Sequence, residues 1–173
     1  GFGELGAEGK HLQQEVLDIA HRYSMRIIGP NCLGVVRPSG QLNATFGDGT
    51  VKDGNLALLS QSGAVCTAIL DWAKSQDIGF STVVSMGGAA DIDFGEVLDY
   101  LATDSKTTGI LMYVEGIRDA RRFLSGLKAA ARLKPVILIK SGRHEAGCKA
   151  AMSHTGAMVG GDNVFDAAIA RAV

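Results

Sequence analysis

The chain has 173 residues, of which 46% are apolar and 20% charged, and its net charge is -1. This size and composition predict one soluble folded domain, or one domain with part of another. The near-zero charge gives no electrostatic case for nucleic acid or a membrane surface, and no apolar run approaches membrane-spanning length. Without a signal peptide, the prediction is a cytoplasmic protein. Because the sequence begins at Gly1 rather than Met, we expect an excerpt of a longer protein.

The first third of the chain predicts a helix, a short strand and a linker. Apolar residues recur at helical spacing between residues 9 and 24, and residues 26–28 predict a short strand before Gly29-Pro30-Asn31. Residues 37–54 contain Pro38, several glycines and few apolar side chains. That composition is typical of a linker.

The rest of the chain alternates short apolar runs with helical patterns. The predicted strands are 55–59, 80–86, 109–114 and 135–140, and the predicted helices are 63–76, 93–102, 118–132 and a last one from 162 towards 172. Short runs rich in Val, Ile and Leu are typical of parallel strands buried on both faces. Their alternation with helices predicts an α/β fold, a flavodoxin-like doubly wound parallel sheet of strand order 2-1-3-4-5. The fifth strand is expected past Val173.

Polar or glycine-rich residues follow each predicted strand in turn. Ser60–Gly63 follow the first strand, Gly87-Gly88 the second, Glu115-Gly116 the third and residues 141–154 the fourth. In doubly wound sheets, ligands bind at the carboxyl ends of the strands, near the switch between the first and third. We therefore predict that these loops converge on one site at one edge of the sheet.

The first loop turns a strand into a helix and predicts a phosphate-binding helix start at Ser60, Ser62, Gly63 and Ala64. Unpaired backbone N–H groups and the positive end of the helix dipole make such a start a seat for an anion. Ser62 is equally well interpreted as a plain N-cap. The two interpretations are compatible.

A lone histidine, His154, lies between small residues in Ser153-His154-Thr155-Gly156. Its imidazole can carry a phosphoryl group if one ring nitrogen donates to a carboxylate and leaves the other as a nucleophile. Glu115 is the candidate carboxylate, since it directly follows an apolar strand, where a charge needs a partner. The alternatives are a solvated loop histidine and a surface carboxylate. Basic side chains flank the histidine loop and could offset phosphate charge: Lys140, Arg143 and Lys149.

Several other site types are disfavoured, and no metal site is predicted. Gly1–Gly6 matches a dinucleotide fingerprint, but no strand precedes it. A serine hydrolase would need a GxSxG elbow, and an FMN site would need a hydroxyl at Val65. Asp91 and Asp93 are better explained as helix-start carboxylates than as metal ligands. The three cysteines lack the spacing of a zinc site.

Five motifs together resemble the NDP-forming acyl-CoA synthetases, relatives of the succinyl-CoA synthetase α subunit. They are Gly29–Gly34, Leu59–Gly63, Met86–Gly88 with Asp91–Asp93, Glu115-Gly116, and Met152–Ala157. The resemblance spans nearly the whole chain in the right order. It implies that residues 1–36 are the tail of a Rossmann-like CoA-binding domain, 37–54 a linker, and 55–173 a succinyl-CoA ligase-like flavodoxin domain truncated at its C-terminus.

The resemblance also implies a relay. An acyl-CoA and phosphate give an acyl phosphate, whose phosphoryl group passes to His154, held by Glu115, and then to ADP to form ATP. Coenzyme A and a small carboxylic acid are the implied substrates, with Asn31, Gly87 and Gly88 on the substrate or CoA side. ATP or ADP and Mg2+ are expected on an ATP-grasp domain or subunit outside this chain, so the excerpt alone is expected to be inactive.

Two non-catalytic alternatives remain open. Residues 98–107 and 119–123 also resemble the synthetase-like halves of bacterial GNAT lysine acetyltransferases, which implies an acyl-CoA-sensing regulatory module. A phosphate-binding flavodoxin-like domain without turnover is the other alternative. His154 is retained, which favours the ligase.

Overall fold

The structure is a computed structural model that describes residues 2–47, 50–142, 165–167 and 169–170. A 3₁₀ turn at Gly3–Leu5 leads into helix α1 (Gly6–Arg22), and a second 3₁₀ turn, Pro38–Gly40, joins the first two strands. The strands are β1 (Gly34–Arg37), β2 (Leu42–Thr45), β3 (Asp53–Ser60), β4 (Phe80–Ser85), β5 (Gly109–Val114) and β6 (Val136–Lys140). The remaining helices are α2 (Gly63–Ser75), α3 (Phe94–Thr103) and α4 (Ala120–Ala131).

Six strands form one sheet in the order β2-β1-β4-β3-β5-β6. The ladders β3–β4, β3–β5 and β5–β6 are all parallel, as predicted for a doubly wound sheet. If β3, β4, β5 and β6 are numbered 1 to 4, their order across the sheet is 2-1-3-4. This order confirms the predicted α/β flavodoxin-like topology. The predicted boundaries of these strands and of α2, α3 and α4 differ from the observed ones by two residues or fewer.

The core lies on both faces of the sheet. Leu59 and Ala57 point to the face covered by α3 and α4, whereas Leu58 points to the face covered by α2, and all three are fully buried. This explains why β3 is a continuous apolar run rather than an alternating one. Full burial of a leucine side chain stabilises the fold by about 1.5–3 kcal/mol.

Strand β2 lies within residues 37–54, the segment predicted to be a linker, and β1 ends at the first residue of that segment. β1 and β2 form an antiparallel hairpin, and β1 also pairs with β4, so that the hairpin extends the edge of the sheet. Val36 packs into the core from β1, while most of β2 is exposed. Short exposed edge strands contain few apolar residues, which is why the composition indicated a linker. The domain division at residues 36 and 54 stays a prediction.

The strand predicted at residues 26–28 is also wrong. These residues form no strand because the Asp91 side chain takes the Ile27 N–H, with 2.7 Å between Oδ2 and the nitrogen. Arg26 donates to both Asp91 and Glu96, with nitrogen–oxygen distances of 2.9–3.1 Å. The segment after α1 is thereby fixed to the loop that follows β4.

Helix α1 forms at the predicted position, but much of its apolar stripe is exposed. Leu17 and Ala20 are buried, whereas Leu12, Val16, Ile19 and Tyr23 are exposed in the part of the chain that the structure describes. The last predicted helix falls mostly outside the described residues, although 165–167 and 169–170 are helical. None of the described helices combines the length and the apolar character needed to cross a bilayer.

Candidate functional site

The residues that follow β3, β4, β5 and β6 lie together at one edge of the sheet, here called the rim. Backbone hydrogen bonds join them: Met86 N to Ser60 O at 2.7 Å, Gln61 N to Tyr113 O at 3.1 Å, and Ser141 N to Val114 O at 2.9 Å. Parallel strands end on the same side, so the loops after them have to meet there. The prediction that the serine turn and the glutamate loop share one edge is confirmed.

The serine turn makes an N-terminal cap for α2. Ser62 Oγ accepts from Val65 N at 3.3 Å, and the buried Ser60 hydroxyl donates to Ser62 O at 2.7 Å. The first backbone bond of the helix runs from Cys66 N to Ser62 O. The N–H groups of Gly63 and Ala64 therefore have no acceptor within the helix. The capping role of Ser62 is confirmed, and it leaves these two N–H groups in place to meet an anion.

Glu115 is buried just past the end of β5, with 8% of its surface exposed. Burial disfavours an ionised carboxylate unless hydrogen bonds or positive charges accompany it. Glu115 lies at the rim on the strand next to the serine turn, and its role in orienting His154 stays a prediction.

Gln61 joins the serine turn to the glutamate loop, a role that was not predicted for its side chain. Its side-chain Oε1 accepts from Glu115 N at 2.6 Å and from Gly116 N at 3.0 Å, and its Nε2 donates to Gly116 O at 3.0 Å. A glutamine side chain carries both a hydrogen-bond donor and an acceptor. It can therefore bond to the N–H and the C=O of a backbone segment, as a neighbouring strand does.

Asn31 reaches the same rim on a segment that runs beside the loop after β4. Gly88 N donates to Pro30 O at 2.8 Å and Ala90 N to Gly29 O at 2.7 Å. Gly87 has a φ of +51°, and a Cβ at this position would collide with the carbonyl oxygens of Pro30 and Asn31. Glycine is therefore needed at residue 87 both for its conformation and for the close approach. The structure brings Asn31 next to Gly87 and Gly88, and their place on the substrate or CoA side stays a prediction.

Arg118 is a second residue that sequence reasoning missed. Its Nη1 donates to Ala89 O at 2.8 Å and also to Ala90 O. Ala89 has a φ of +44°, a conformation that costs a non-glycine residue free energy. The guanidinium thus holds the loop after β4 against the loop after β5. No sequence motif could have revealed this contact, because the two loops are distant in the chain.

The two aspartates after Gly88 are engaged within the fold. Asp93 caps α3, with its Oδ1 3.2 Å from Glu96 N, which confirms its helix-start role. Asp91 instead binds Arg26 and Ile27, so its predicted helix-start role is wrong. Burial raises the pKa of Asp91, but hydrogen bonds from Arg26, the Ile27 N–H and His21 outweigh it and lower that pKa to about 2. Among the described residues, no group of three or more His, Cys, Asp or Glu side chains is arranged to hold a metal ion.

His154 lies outside the described residues, as do Arg143 and Lys149. Lys140, at the end of β6, places its Nζ 5.3 Å from the centroid of the Phe165 ring. Its position at the carboxyl end of β6 places a cation at the rim, next to the residues that lead to His154.

Comparison with known proteins agrees with this architecture. The model of the succinyl-CoA ligase like flavodoxin domain family matches residues 53–173, which is more than half of the chain. The chain belongs to this family. The match begins at the first residue of β3 and includes every parallel strand of the rim.

Two curated relatives of this chain are named as ADP-forming ligases. The chain is 50% identical over 97% of its length to the α subunit of ADP-forming acetate–CoA ligase I from Pyrococcus furiosus, and it covers 36% of that protein. It is 46% identical over 96% of its length to the ADP-forming 4-hydroxybutyrate–CoA ligase of Nitrosopumilus maritimus, of which it covers 24%. The chain thus spans about a third or less of the length of these two relatives.

A solved structure shares the fold over almost the whole chain. The dinucleotide-forming acetyl-coenzyme A synthetase 1 of Ca. Korarchaeum cryptofilum, in complex with phosphate and ADP, superposes with a TM-score of 0.92 at 39% sequence identity. The comparison covers 99% of the present chain and 37% of the synthetase chain. The likeness therefore includes the segment before β3 as well as the succinyl-CoA ligase like domain.

Proposed function

We propose that this chain is part of an ADP-forming acyl-CoA ligase in which His154 carries the phosphoryl group between two sites. The observation that carries the proposal is the rim, where the capped start of α2 and the buried Glu115 are joined through Gln61. The family membership and the similarity to ADP-forming ligases support the same function. The sequence retains the histidine that this chemistry needs.

The first proposed step joins phosphate to the acyl group. A phosphate oxygen attacks the thioester carbonyl carbon, the C–S bond breaks, and coenzyme A leaves as the thiolate and takes up a proton. The N–H groups of Gly63 and Ala64 and the positive end of the α2 dipole would hold the phosphate. Asn31, Gly87 and Gly88 would face the acyl-CoA, where the glycine backbone permits a close approach.

The next two steps pass the phosphoryl group through His154. A ring nitrogen attacks the phosphorus of the acyl phosphate, the P–O bond breaks, and the carboxylate leaves with the electron pair. Glu115 would accept the N–H of the other ring nitrogen and stabilise the positive charge that develops on the ring. An oxygen of ADP then attacks the phosphorus, the N–P bond breaks, and the ring nitrogen regains its lone pair as ATP forms.

The nucleotide and Mg2+ would be held by an ATP-grasp domain or subunit. Among the described residues no three or more His, Cys, Asp or Glu side chains are grouped to hold a metal ion, and Asp91 and Asp93 are engaged in hydrogen bonds within the fold. The similarity to a protein named as an α subunit supports the need for such a partner.

The experiment that tests this function uses the full-length protein with its ATP-grasp domain or subunit. Labelled ATP and Mg2+ should give an acid-labile, base-stable label on the chain, because phosphohistidine hydrolyses in acid. The label should disappear in His154→Asn and persist in His144→Asn, a matched control ten residues away. Label that survives His154→Asn would contradict the proposal.

The regulatory alternative predicts a different outcome from the same experiment. A synthetase-like half of a lysine acetyltransferase would bind acyl-CoA without transferring phosphate. Absence of label together with saturable binding of acetyl-CoA would favour that alternative over the ligase. The resemblance of residues 98–107 and 119–123 to those proteins is the feature that supports it.

A further inference from the structure

The Gln61 side chain continues the pairing of β3 with β5 beyond the end of the strands. The last backbone bond of this pairing runs from Gln61 N to Tyr113 O at 3.1 Å. Beyond this bond, the Gln61 side chain makes the contacts with the neighbouring segment. Its Nε2 donates to Gly116 O at 3.0 Å, and its Oε1 accepts from Gly116 N at 3.0 Å. The side chain therefore pairs with Gly116 as a neighbouring strand would.

The same side chain also holds the backbone of Glu115. Oε1 lies 2.6 Å from Glu115 N, so one oxygen accepts two consecutive N–H groups. The Glu115 N–H and the Gly116 N–H belong to the two peptide groups on either side of the Glu115 Cα, so these two bonds restrain both of them. The direction in which the Glu115 carboxylate leaves the chain depends on those two peptide groups.

Gln61 itself is anchored in the turn that begins α2. It stands between Ser60, whose carbonyl oxygen accepts from Met86 N at 2.7 Å, and Ser62, which caps the helix. Any shift of Gln61 would therefore move the start of α2 and the Glu115 loop relative to each other. Arg118 holds the far side of the same loop through Ala89 O.

We propose that Gln61 is a positioning residue, which holds the Glu115 carboxylate in place relative to the Gly63 and Ala64 N–H groups at the start of α2. This inference rests on the proposed function, since it concerns the geometry in which the phosphoryl group and the imidazole meet. Misplacement of a catalytic group by about 1 Å lowers rates by about a hundredfold. Gln61 would act only through Glu115 and Gly116 and would not touch the substrate.

Two substitutions separate positioning from simple stabilisation. Gln61→Met keeps the length of the side chain but removes all three hydrogen bonds. Gln61→Glu keeps the acceptor but, when ionised, places a negative charge against the Gly116 carbonyl; when protonated, its hydroxyl can donate there as the amide does. Gln76→Met, the same substitution at the exposed other end of α2, is the matched control.

The measurement is the rate constant for labelling of His154 by labelled ATP and Mg2+ in the full-length protein with its partner domain or subunit, from pH 6 to pH 8. Gln61→Met should slow labelling by about tenfold to a hundredfold without changing the ATP concentration at half-maximal rate. Gln61→Glu, whose carboxyl is ionised across this pH range, should label as slowly as Gln61→Met. Gln76→Met should match the wild type.

The possible outcomes distinguish this inference from the proposed function. A wild type that takes no label on His154 contradicts the ligase itself. A labelled wild type with an equally fast Gln61→Met variant overturns only the role of Gln61. If Gln61→Met does not fold, the Gln61→Glu variant decides, because labelling as fast as in the wild type would overturn the inference.

Discussion

Arg37 and Asp104 form a bidentate ion pair that connects the edge hairpin to the loop after α3. Arg37 Nη2 lies 2.8 Å from Asp104 Oδ1, and Nη1 lies 3.1 Å from Oδ2. Thr107 Oγ1 also donates to Asp104 Oδ2 at 2.7 Å. The hydrogen bond from Arg37 is the largest of the effects that lower the pKa of Asp104 to about 2.

Asp104→Asn should make the stability of the chain less dependent on pH in acid. Because the folded-state pKa of Asp104 lies below the unfolded value of about 3.9, its contribution is complete above about pH 5 and is lost as the pH falls towards 2. The substitution should lower the free energy of unfolding by about 2 kcal/mol at pH 7 and by much less near pH 2. Urea unfolding at several pH values measures this. Asp99→Asn, on the exposed face of α3, should show neither effect.

Gly87→Ala should destabilise the fold, whereas Gly88→Ala should not. At residue 87 a Cβ would meet two backbone oxygens and φ is +51°, while at residue 88 the nearest atom would be the Pro30 oxygen at 3.6 Å, an ordinary contact. We expect a loss of about 1–3 kcal/mol for Gly87→Ala, measured by thermal unfolding. Equal melting temperatures for the two variants would mean that the segment holding Asn31 does not pack on Gly87.

Ser62 offers a way to separate capping from anion binding. Ser62→Ala removes the acceptor for Val65 N and should lower stability by about 1 kcal/mol. Ser62→Asp should preserve the cap, but its charge next to the Gly63 and Ala64 N–H groups should raise the phosphate concentration at half-maximal ligase rate by about tenfold. Phosphate titration of both variants tests this. An unchanged phosphate requirement in Ser62→Asp would argue against a phosphate seat at this helix start.

Glu115→Gln should slow phosphoryl transfer without unfolding the chain. Glutamine has the same shape and can accept a hydrogen bond, but it brings no negative charge to a ring that becomes positive. The rate constant for labelling of His154 should fall by about a hundredfold, measured by rapid quench. Glu15→Gln, on exposed α1, should leave the rate unchanged. A Glu115→Gln variant that labels as fast as the wild type would remove Glu115 from the proposed mechanism.

The parallel sheet and its rim could be predicted from the sequence alone. Runs such as Leu56–Leu59 and Ile110–Val114 are apolar on both faces, which leaves parallel buried strands as the simplest solution, and the residues after such strands must meet at one edge. The N-cap of α2 was equally visible, because a serine directly before a helical pattern is a local signal. Helix α1 was predicted from its spacing, although that spacing could not indicate which part of its apolar stripe is covered.

Other features were decided only by tertiary contacts. Strands β1 and β2 were not predicted, because the hairpin they form is held to the sheet by β4, more than forty positions away. Residues 26–28 formed no strand because Asp91 took the N–H that a ladder would need. The roles of Gln61 and Arg118 depend on which backbone groups the fold brings within about 3 Å of their side chains. Local pattern determined the buried parallel strands and the helices between them, whereas the edge strands and the partners of polar side chains were determined only when distant parts of the chain met.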